Sequence, residues 1–175
     1  MRNATKIAEQ ATYTFLANGD LSVEGAGIIY KNFSGEPTQV NPAGGKRTFG
    51  LVVTQEVADR LVEQGWNVKH KPPREEGDDE LFYTEIVVNM DSMYPPKLNL
   101  VTVYGNKEAM IPLTADNVGE LDRNILKDVD LVIHPYSHGR SNAAGSTVKG
   151  YLKTLYATQD NQIDFGGKYA RFYEN

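Results

Sequence analysis

Short runs of β-branched and aromatic residues, separated by turn-forming residues, recur along most of this 175-residue chain. Runs of this kind, bounded by Gly, Pro, Asn and Asp, are typical of strands in small barrels and curved sheets. The runs predict the following strands or extended pieces: Leu21–Phe33, Arg47–Val53, Trp66–Lys71, Phe82–Asn89, Lys97–Tyr104, Glu108–Leu113, Val129–Tyr136 and Val148–Thr158.

Helix signals occur at two places. Thr54 precedes apolar residues at helical spacing, and Gly65 follows them, which predicts a helix of about three turns. Thr114–Leu121 predicts one short helical turn. Because strands rarely alternate with helices, the pattern excludes a doubly wound α/β fold and predicts a mainly β fold, a small barrel or a strongly curved sheet, with one or two short helices.

The length predicts a single domain. We expect a polar N-terminal arm over residues 1–20, in which Tyr13 and Phe15 could dock, a β domain over residues 21–158, and a polar and aromatic tail over residues 159–175. The start of the chain lacks the apolar run of a secretory signal, and no stretch is long enough to cross a bilayer. We expect a cytoplasmic protein that does not engage a membrane.

The motif search favours no enzyme. The chain has no cysteine, which excludes disulfides, thiolate metal sites and thiol catalysis. Gly25-Ala26-Gly27 resembles the start of a dinucleotide fingerprint, but a strand continues where the fingerprint requires a helix. His134 and His138 fall on a predicted strand, about 13 Å apart, too far to share a metal. We expect no cofactor and no metal.

Cations stand beside aromatic residues at several places, as in Tyr30-Lys31-Asn32-Phe33 and Lys46-Arg47-Thr48-Phe49. Strand alternation puts Lys149, Tyr151 and Lys153 on one face of the last strand, and Leu152, Thr154 and Tyr156 on the other. An exposed ring between two lysines suits single-stranded nucleic acid, because bases stack on rings while ammonium groups follow the phosphates.

The net charge of −5 excludes a uniformly basic nucleic-acid coat. The charge is unevenly distributed, however. The segment from Lys31 to Arg74 contains seven cations and four acids, a net charge of +3, and the remainder carries −8. A positive region on an acidic protein is compatible with local phosphate binding.

Several aromatic residues have two interpretations. Phe49, Trp66, Tyr30 and Tyr156 could each pack in the core or contact a ligand, whereas Tyr151 is the leading ligand candidate. The complete set of candidate nucleic-acid-binding residues is Lys31, Phe33, Lys46, Arg47, Phe49, Trp66, Lys69, Lys71, Arg74, Tyr136, Lys149, Tyr151 and Lys153.

Five segments together resemble bacteriophage single-stranded DNA-binding proteins with an OB-like fold. They are Ile29–Gly35, Arg47–Phe49, Gly65–Lys69, Asp130–Tyr136 and Lys149–Tyr156, and the resemblance extends over about residues 25–158. It implies a partly open OB-like barrel with added hairpins and sequence-independent binding of single-stranded DNA in phage replication, recombination and repair, without catalysis. It points to Phe33, Arg47, Phe49, Trp66, Lys69, Tyr136, Tyr151 and Lys153 as groove positions. His138 stands where a tryptophan is expected.

Single-stranded DNA is therefore the expected partner. Replication or recombination proteins are candidate partners as well, and a homo-oligomer is a candidate state. The main alternative is a non-enzymatic β-domain for protein interaction or virion structure, whose aromatics would pack subunit contacts. A weaker alternative is a Mg²⁺-dependent nuclease that uses the acidic segment Glu75–Glu80 and Asp91.

Overall fold

A computed structural model of the chain describes residues 3–39, 41–73, 75, 77, 80–104, 107–137 and 148–160. These residues form three helices: α1 (Ala4–Gln10), α2 (Gln55–Glu63) and α3 (Glu120–Arg123). They also form ten strands: β1 (Thr12–Phe15), β2 (Leu21–Glu24), β3 (Gly27–Asn32), β4 (Thr48–Val53), β5 (Val68–Lys71), β6 (Leu81–Val87), β7 (Lys97–Tyr104), β8 (Lys107–Leu113), β9 (Leu126–Ser137) and β10 (Val148–Gln159).

All ten strands belong to one open sheet. The order along its main path is β1-β2-β9-β10-β6-β4-β3, with β5 on β6, β7 on β10 and β8 on β7. The prediction of a mainly β fold is confirmed. No helix among the described residues is long and apolar enough to span a membrane.

Strand β10 lies at the centre of this sheet. Its antiparallel ladder with β9 runs along its whole length. On its other edge, Gly150 and Tyr151 pair with β6, and residues 154–158 pair with β7, both in parallel register. The sheet therefore forks at β10, and its inner side encloses one hydrophobic core that includes residues from most of the strands and from α2 and α3.

The predicted strand Leu21–Phe33 is in fact two strands with different partners. Gly25 has a φ of +72°, in the left-handed region that glycine adopts at little cost, and the amide of Ala26 donates to the carbonyl of Val129. Residues before this bend pair with β9 and residues after it pair with β4. The bend at Gly25 is therefore a change of partner strand.

The N-terminal arm is a folded part of the sheet. In place of a loose segment, the structure has α1, capped by the Asn3 side chain, and β1, which pairs with β2. The Tyr13 hydroxyl donates to the carbonyl of Ala8 at 3.0 Å, and so docks as expected. The boundary predicted at residue 20 falls inside the β1–β2 hairpin.

The helix predictions hold in part. Helix α2 begins where expected, because the Thr54 hydroxyl accepts from the amide of Val57 at 3.2 Å. Thr114–Leu121 begins as a turn, and α3 starts only at Glu120. The three helices exceed the predicted one or two because α1 was missed.

Candidate nucleic-acid interface

One side of the sheet presents side chains that alternate with buried core residues such as Thr84, Ile86, Gly150 and Leu152. We call this side the outer face. Its members lie on β5, β6, β9 and the first half of β10. They are Lys69, Lys71, Tyr83, Glu85, Val87, His134, Tyr136, Lys149, Tyr151 and Lys153.

Two predicted aromatic residues meet on the outer face. In the β9–β10 ladder, Lys149 lies opposite Tyr136 and Tyr151 lies opposite His134. The rings of Tyr136 and Tyr151 meet edge to face, with centroids 5.7 Å apart, and the Tyr136 side chain is exposed. The sheet thus brings Tyr136, Lys149 and Tyr151 together, although twelve residues separate Tyr136 from Lys149 in sequence.

A β-bulge changes the second half of β10. The register with β9 shifts between Leu152 and Thr154, so that Lys153 has no partner in the ladder. Beyond the bulge, Leu155 and Ala157 are buried and Tyr156 is exposed. The prediction that Tyr156 shares the inner side with Leu152 is therefore wrong, because one extra residue inverts the alternation.

A buried carboxylate anchors His134 and Lys153 on the outer face. Asp20 Oδ1 lies 2.6 Å from Nδ1 of His134, and Lys153 Nζ donates to Oδ2 at 3.0 Å. Burial acts to raise the pKa of Asp20, but hydrogen bonds from His134, Lys153 and Asn18 outweigh it and hold the pKa below its usual range. Lys153 is thus held at the surface beside Tyr151.

A second aromatic pair lies at the other end of β6. The rings of Tyr30 and Tyr83 meet edge to face at 5.5 Å. Lys71 Nζ donates to the Tyr30 hydroxyl at 3.4 Å, and Lys69 Nζ lies 6.0 Å from the centroid of Tyr83. This cluster, Tyr30, Tyr83, Lys69 and Lys71, repeats the association of ring and cation seen on β10.

The backbone at Tyr30 and at Gly50 accommodates the Tyr30–Tyr83 pair. Tyr30 has a φ of +52°, an uncommon value for a residue other than glycine, at the register shift between β3 and β4. Gly50 lies on β4, between β3 with Tyr30 and β6 with Tyr83. A Cβ at Gly50 would be only 3.2 Å from Tyr83 Cδ2. Burial, followed by the charges of Tyr30 and Glu85, raises the pKa of Tyr83.

Sequence reasoning missed Tyr83 and left Tyr30 undecided. Tyr83 was not among the candidates, although its alternation with Phe82 and Thr84 in a predicted strand was a usable signal. For Tyr30, the sequence favoured neither core packing nor ligand contact. In the structure its side chain is 57% exposed.

Three aromatic residues that were predicted to bind nucleic acid are instead buried, so these predictions are wrong. The stacked rings of Phe33 and Phe49, 5.3 Å apart, lie in the core, as does Trp66. A Cβ at Gly150 would be 2.6 Å from Cζ3 of Trp66, which shows how closely the indole fits under β10. Because these rings fill the interior, no base can stack on them in this structure.

Two candidate cations bind carbonyl oxygens of the protein itself. Lys31 Nζ donates to the carbonyls of Leu121 and Asn124 at 2.8 and 2.9 Å. Burial lowers the pKa of Lys31, and Asp122 partly opposes that shift. Arg47 donates to the carbonyl of Phe33 at 2.6 Å. Lys31 therefore joins β3 to α3, and Arg47 joins the residue before β4 to the residue after β3, so neither belongs to the outer-face set.

The remaining candidates differ in position. Lys46 forms an ion pair with Glu85 at 3.3 Å, which offsets the charge of that outer-face carboxylate. Arg74 lies outside the described residues, as do His138 and three acids of the segment before β6, Glu76, Asp78 and Asp79. Within the described part of the chain, no three His, Asp or Glu side chains are placed to hold a metal ion.

Comparison with known proteins gives one family and several structural neighbours. The family model described as "Putative phage ssDNA-binding domain" matches residues 9–174. The single-stranded DNA-binding protein from bacteriophage Enc34 aligns with a TM-score of 0.50 and 13% identity, over 90% of this chain and 93% of that one. Its structure in complex with ssDNA aligns with the same TM-score and identity, over 92% and 94%. No curated protein sequence matches at a significant level.

Proposed function

Because this chain belongs to the family of phage single-stranded DNA-binding domains, we propose that it binds single-stranded DNA without sequence preference through the outer face. Its role would lie in replication, recombination and repair of phage DNA in the host cytoplasm. We assign it no catalytic step.

The observation that supports this proposal most strongly is the association of rings and lysines on one side of the sheet. Two tyrosine pairs, Tyr136–Tyr151 and Tyr30–Tyr83, each have lysines beside them. The outer-face residues named above include four lysines, and Glu85 among them is paired with Lys46. The exposed acids on the same side of β9, Asp128 and Asp130, lie beyond the bulge, opposite Thr158 and Tyr156. An overall acidic protein thus presents a basic and aromatic surface.

Each part of this surface has a role in the proposed mechanism. A base stacked on a tyrosine ring contributes about 1–3 kcal/mol, whatever its identity, because every base has a π face. Lysines that contact phosphates release counterions from the strand, which adds affinity that falls as salt rises. The two tyrosine pairs lie at opposite ends of β6, since Tyr151 pairs with Val87 and Tyr83 is four residues away. At strand spacing this separates them by about 13 Å along the face.

A titration of a fluorescent oligo-dT followed by anisotropy tests the proposal. We expect binding at low salt and a linear fall of log K with log salt, with a slope of about −0.7 for each phosphate contacted. Oligo-dA and oligo-dC should bind within a few-fold of oligo-dT, unlike a duplex of the same length. Absence of binding at low salt, or affinity insensitive to salt, would contradict the proposal.

The alternative of a protein-interaction β-domain also has one supporting observation. Among the described strands, β8 pairs only with β7, and its side chains from Lys107 to Pro112, including Met110 and Ile111, are exposed. Light scattering of the samples used in the titration separates the two functions, because stable self-association without oligonucleotide affinity would favour the alternative. Self-association with affinity would instead indicate a homo-oligomeric DNA-binding protein.

A further inference from the structure

Asp20 joins two side chains that end at the surface. Its carboxylate is only 1% exposed, whereas the His134 and Lys153 side chains that bind it are 54% and 56% exposed. The His134 imidazole and the Lys153 ammonium group therefore stand above a buried negative charge. They lie beside Tyr151, whose position in the ladder is directly opposite His134.

The hydrogen bond to Asp20 determines which nitrogen of His134 carries the proton. An ionised carboxylate can only accept hydrogen bonds, so Nδ1, 2.6 Å from Oδ1, must be the protonated nitrogen. In the neutral ring Nε2 then carries a lone pair, which repels a phosphate oxygen. Only the imidazolium form, protonated on both nitrogens, can donate to a phosphate while it keeps its bond to Asp20.

The second proton on His134 changes the net charge of the cluster around it. Within the described residues, the groups that face it are Asp20 from the turn before β2, Tyr151 and Lys153 from β10, and Tyr136 on its own strand. With neutral His134, the charges of Asp20 and Lys153 cancel. With protonated His134, the cluster carries a net charge of +1.

We propose that His134 and Lys153, held by Asp20, form a binding site for one phosphodiester of single-stranded DNA, and that the site engages fully when His134 is protonated. The inference rests on the proposed function and deepens it. A base stacked on Tyr151 would place its neighbouring phosphate within reach of both cations. Binding of that phosphate is coupled to proton uptake by His134.

The test measures the salt dependence of oligo-dT binding at two pH values. Histidine gains its charge between about pH 8 and pH 5, so pH 8.5 and pH 5 bracket the change. Two variants isolate His134. The first carries His70→Gln and His138→Gln and keeps His134 as its single histidine, and the second carries His134→Gln in addition. Thermal unfolding followed by circular dichroism verifies that both are folded at both pH values.

The first variant should show a slope of log K against log salt that is steeper by about 0.7 at pH 5 than at pH 8.5, which corresponds to one additional phosphate contact. The second should show no such increase. A pH-independent slope in the first variant, or the same pH effect in both, would overturn this proposal while the proposed function stood. Lack of oligonucleotide binding by the wild-type protein at either pH would overturn both.

Discussion

At the scale of single residues, position in the sheet distinguishes two tyrosines of the same strand. Tyr151 lies before the bulge, next to Tyr136 and opposite His134. Tyr156 lies after it, opposite Asp130, an acidic neighbour that would repel a phosphate. Both are on β10, yet only Tyr151 has the surroundings that a nucleic-acid strand requires.

We therefore expect Tyr151→Ala to weaken oligo-dT binding by about 1–3 kcal/mol, because one stacking platform is lost. Tyr156→Ala is the matched control and should bind within a few tenths of a kcal/mol of the wild type. Anisotropy gives both affinities, and the urea midpoint monitors folding. Equal affinity for the Tyr151→Ala variant and the wild type would remove Tyr151 from the interface.

Asp20 gives a prediction about stability. A carboxyl whose pKa is lowered in the folded state stabilises the fold above its unfolded-state pKa, and this contribution is lost as the pH falls through the folded-state pKa. Asp20→Asn should therefore lower the free energy of unfolding at pH 7, and the difference from wild type should shrink below about pH 4. Urea unfolding at pH 7 and pH 3 measures both values.

The control for this experiment is Asp91→Asn, because Asp91 is exposed. We expect that variant to match the wild type at both pH values. A stability loss for Asp20→Asn that is the same at pH 7 and pH 3 would show that the lost interaction is not that of the ionised carboxylate.

At the scale of elements, strand β10 serves the interior and the surface with alternate residues. Gly150 gives the Trp66 ring its space in the core, and its neighbours Lys149 and Tyr151 face outward. The same strand therefore supports the fold from one side and presents the candidate interface on the other.

Substitutions at adjacent positions of β10 should separate these two roles. Gly150→Ala places a Cβ 2.6 Å from Trp66 Cζ3 and 2.8 Å from Ile133 Cγ2, so we expect a stability loss of about 1–3 kcal/mol. Lys149→Ala should retain the wild-type urea midpoint and bind oligo-dT more weakly, with a salt slope smaller by about 0.7. If Gly150→Ala is as stable as the wild type, close packing of Trp66 against residue 150 is contradicted.

Most strands could be predicted from the sequence because each has a clear pattern of its own, and β7 has the bounds that were expected. The missing parts depend on tertiary contacts. Helix α1 has only seven residues, too few to be stable alone, and the bond from Tyr13 to Ala8 helps to hold it. The bulge at Lys153 leaves no signal in the local pattern, so the inverted alternation after it could not be predicted.

The candidate site was predictable where exposure follows from strand alternation, as at Lys149 and Tyr151. The site could not be predicted for aromatic residues that could equally lie in the core or at the surface. Phe33 lies two residues after Lys31 and Trp66 three residues before Lys69, the pattern that suggested binding, yet both rings are buried. Asp20 was overlooked because its partners, His134 and Lys153, are more than 110 residues away in the chain.

At the scale of the whole molecule, the proposed interface requires a basic patch on an acidic protein. The lysines of the outer face lie on β5 and β10, whereas other exposed lysines, Lys6, Lys97 and Lys107, lie on α1, β7 and β8. This division makes the location of the bound strand directly measurable, because lysine acylation reports which ammonium groups a ligand covers.

Binding of single-stranded DNA at the outer face is tested most directly by lysine footprinting with mass spectrometry, with and without saturating oligo-dT. We predict strong protection of Lys69, Lys149 and Lys153, and unchanged reactivity of Lys6, Lys97 and Lys107. Protection of the second group in place of the first, with binding intact, would contradict the assignment of single-stranded DNA to the outer face.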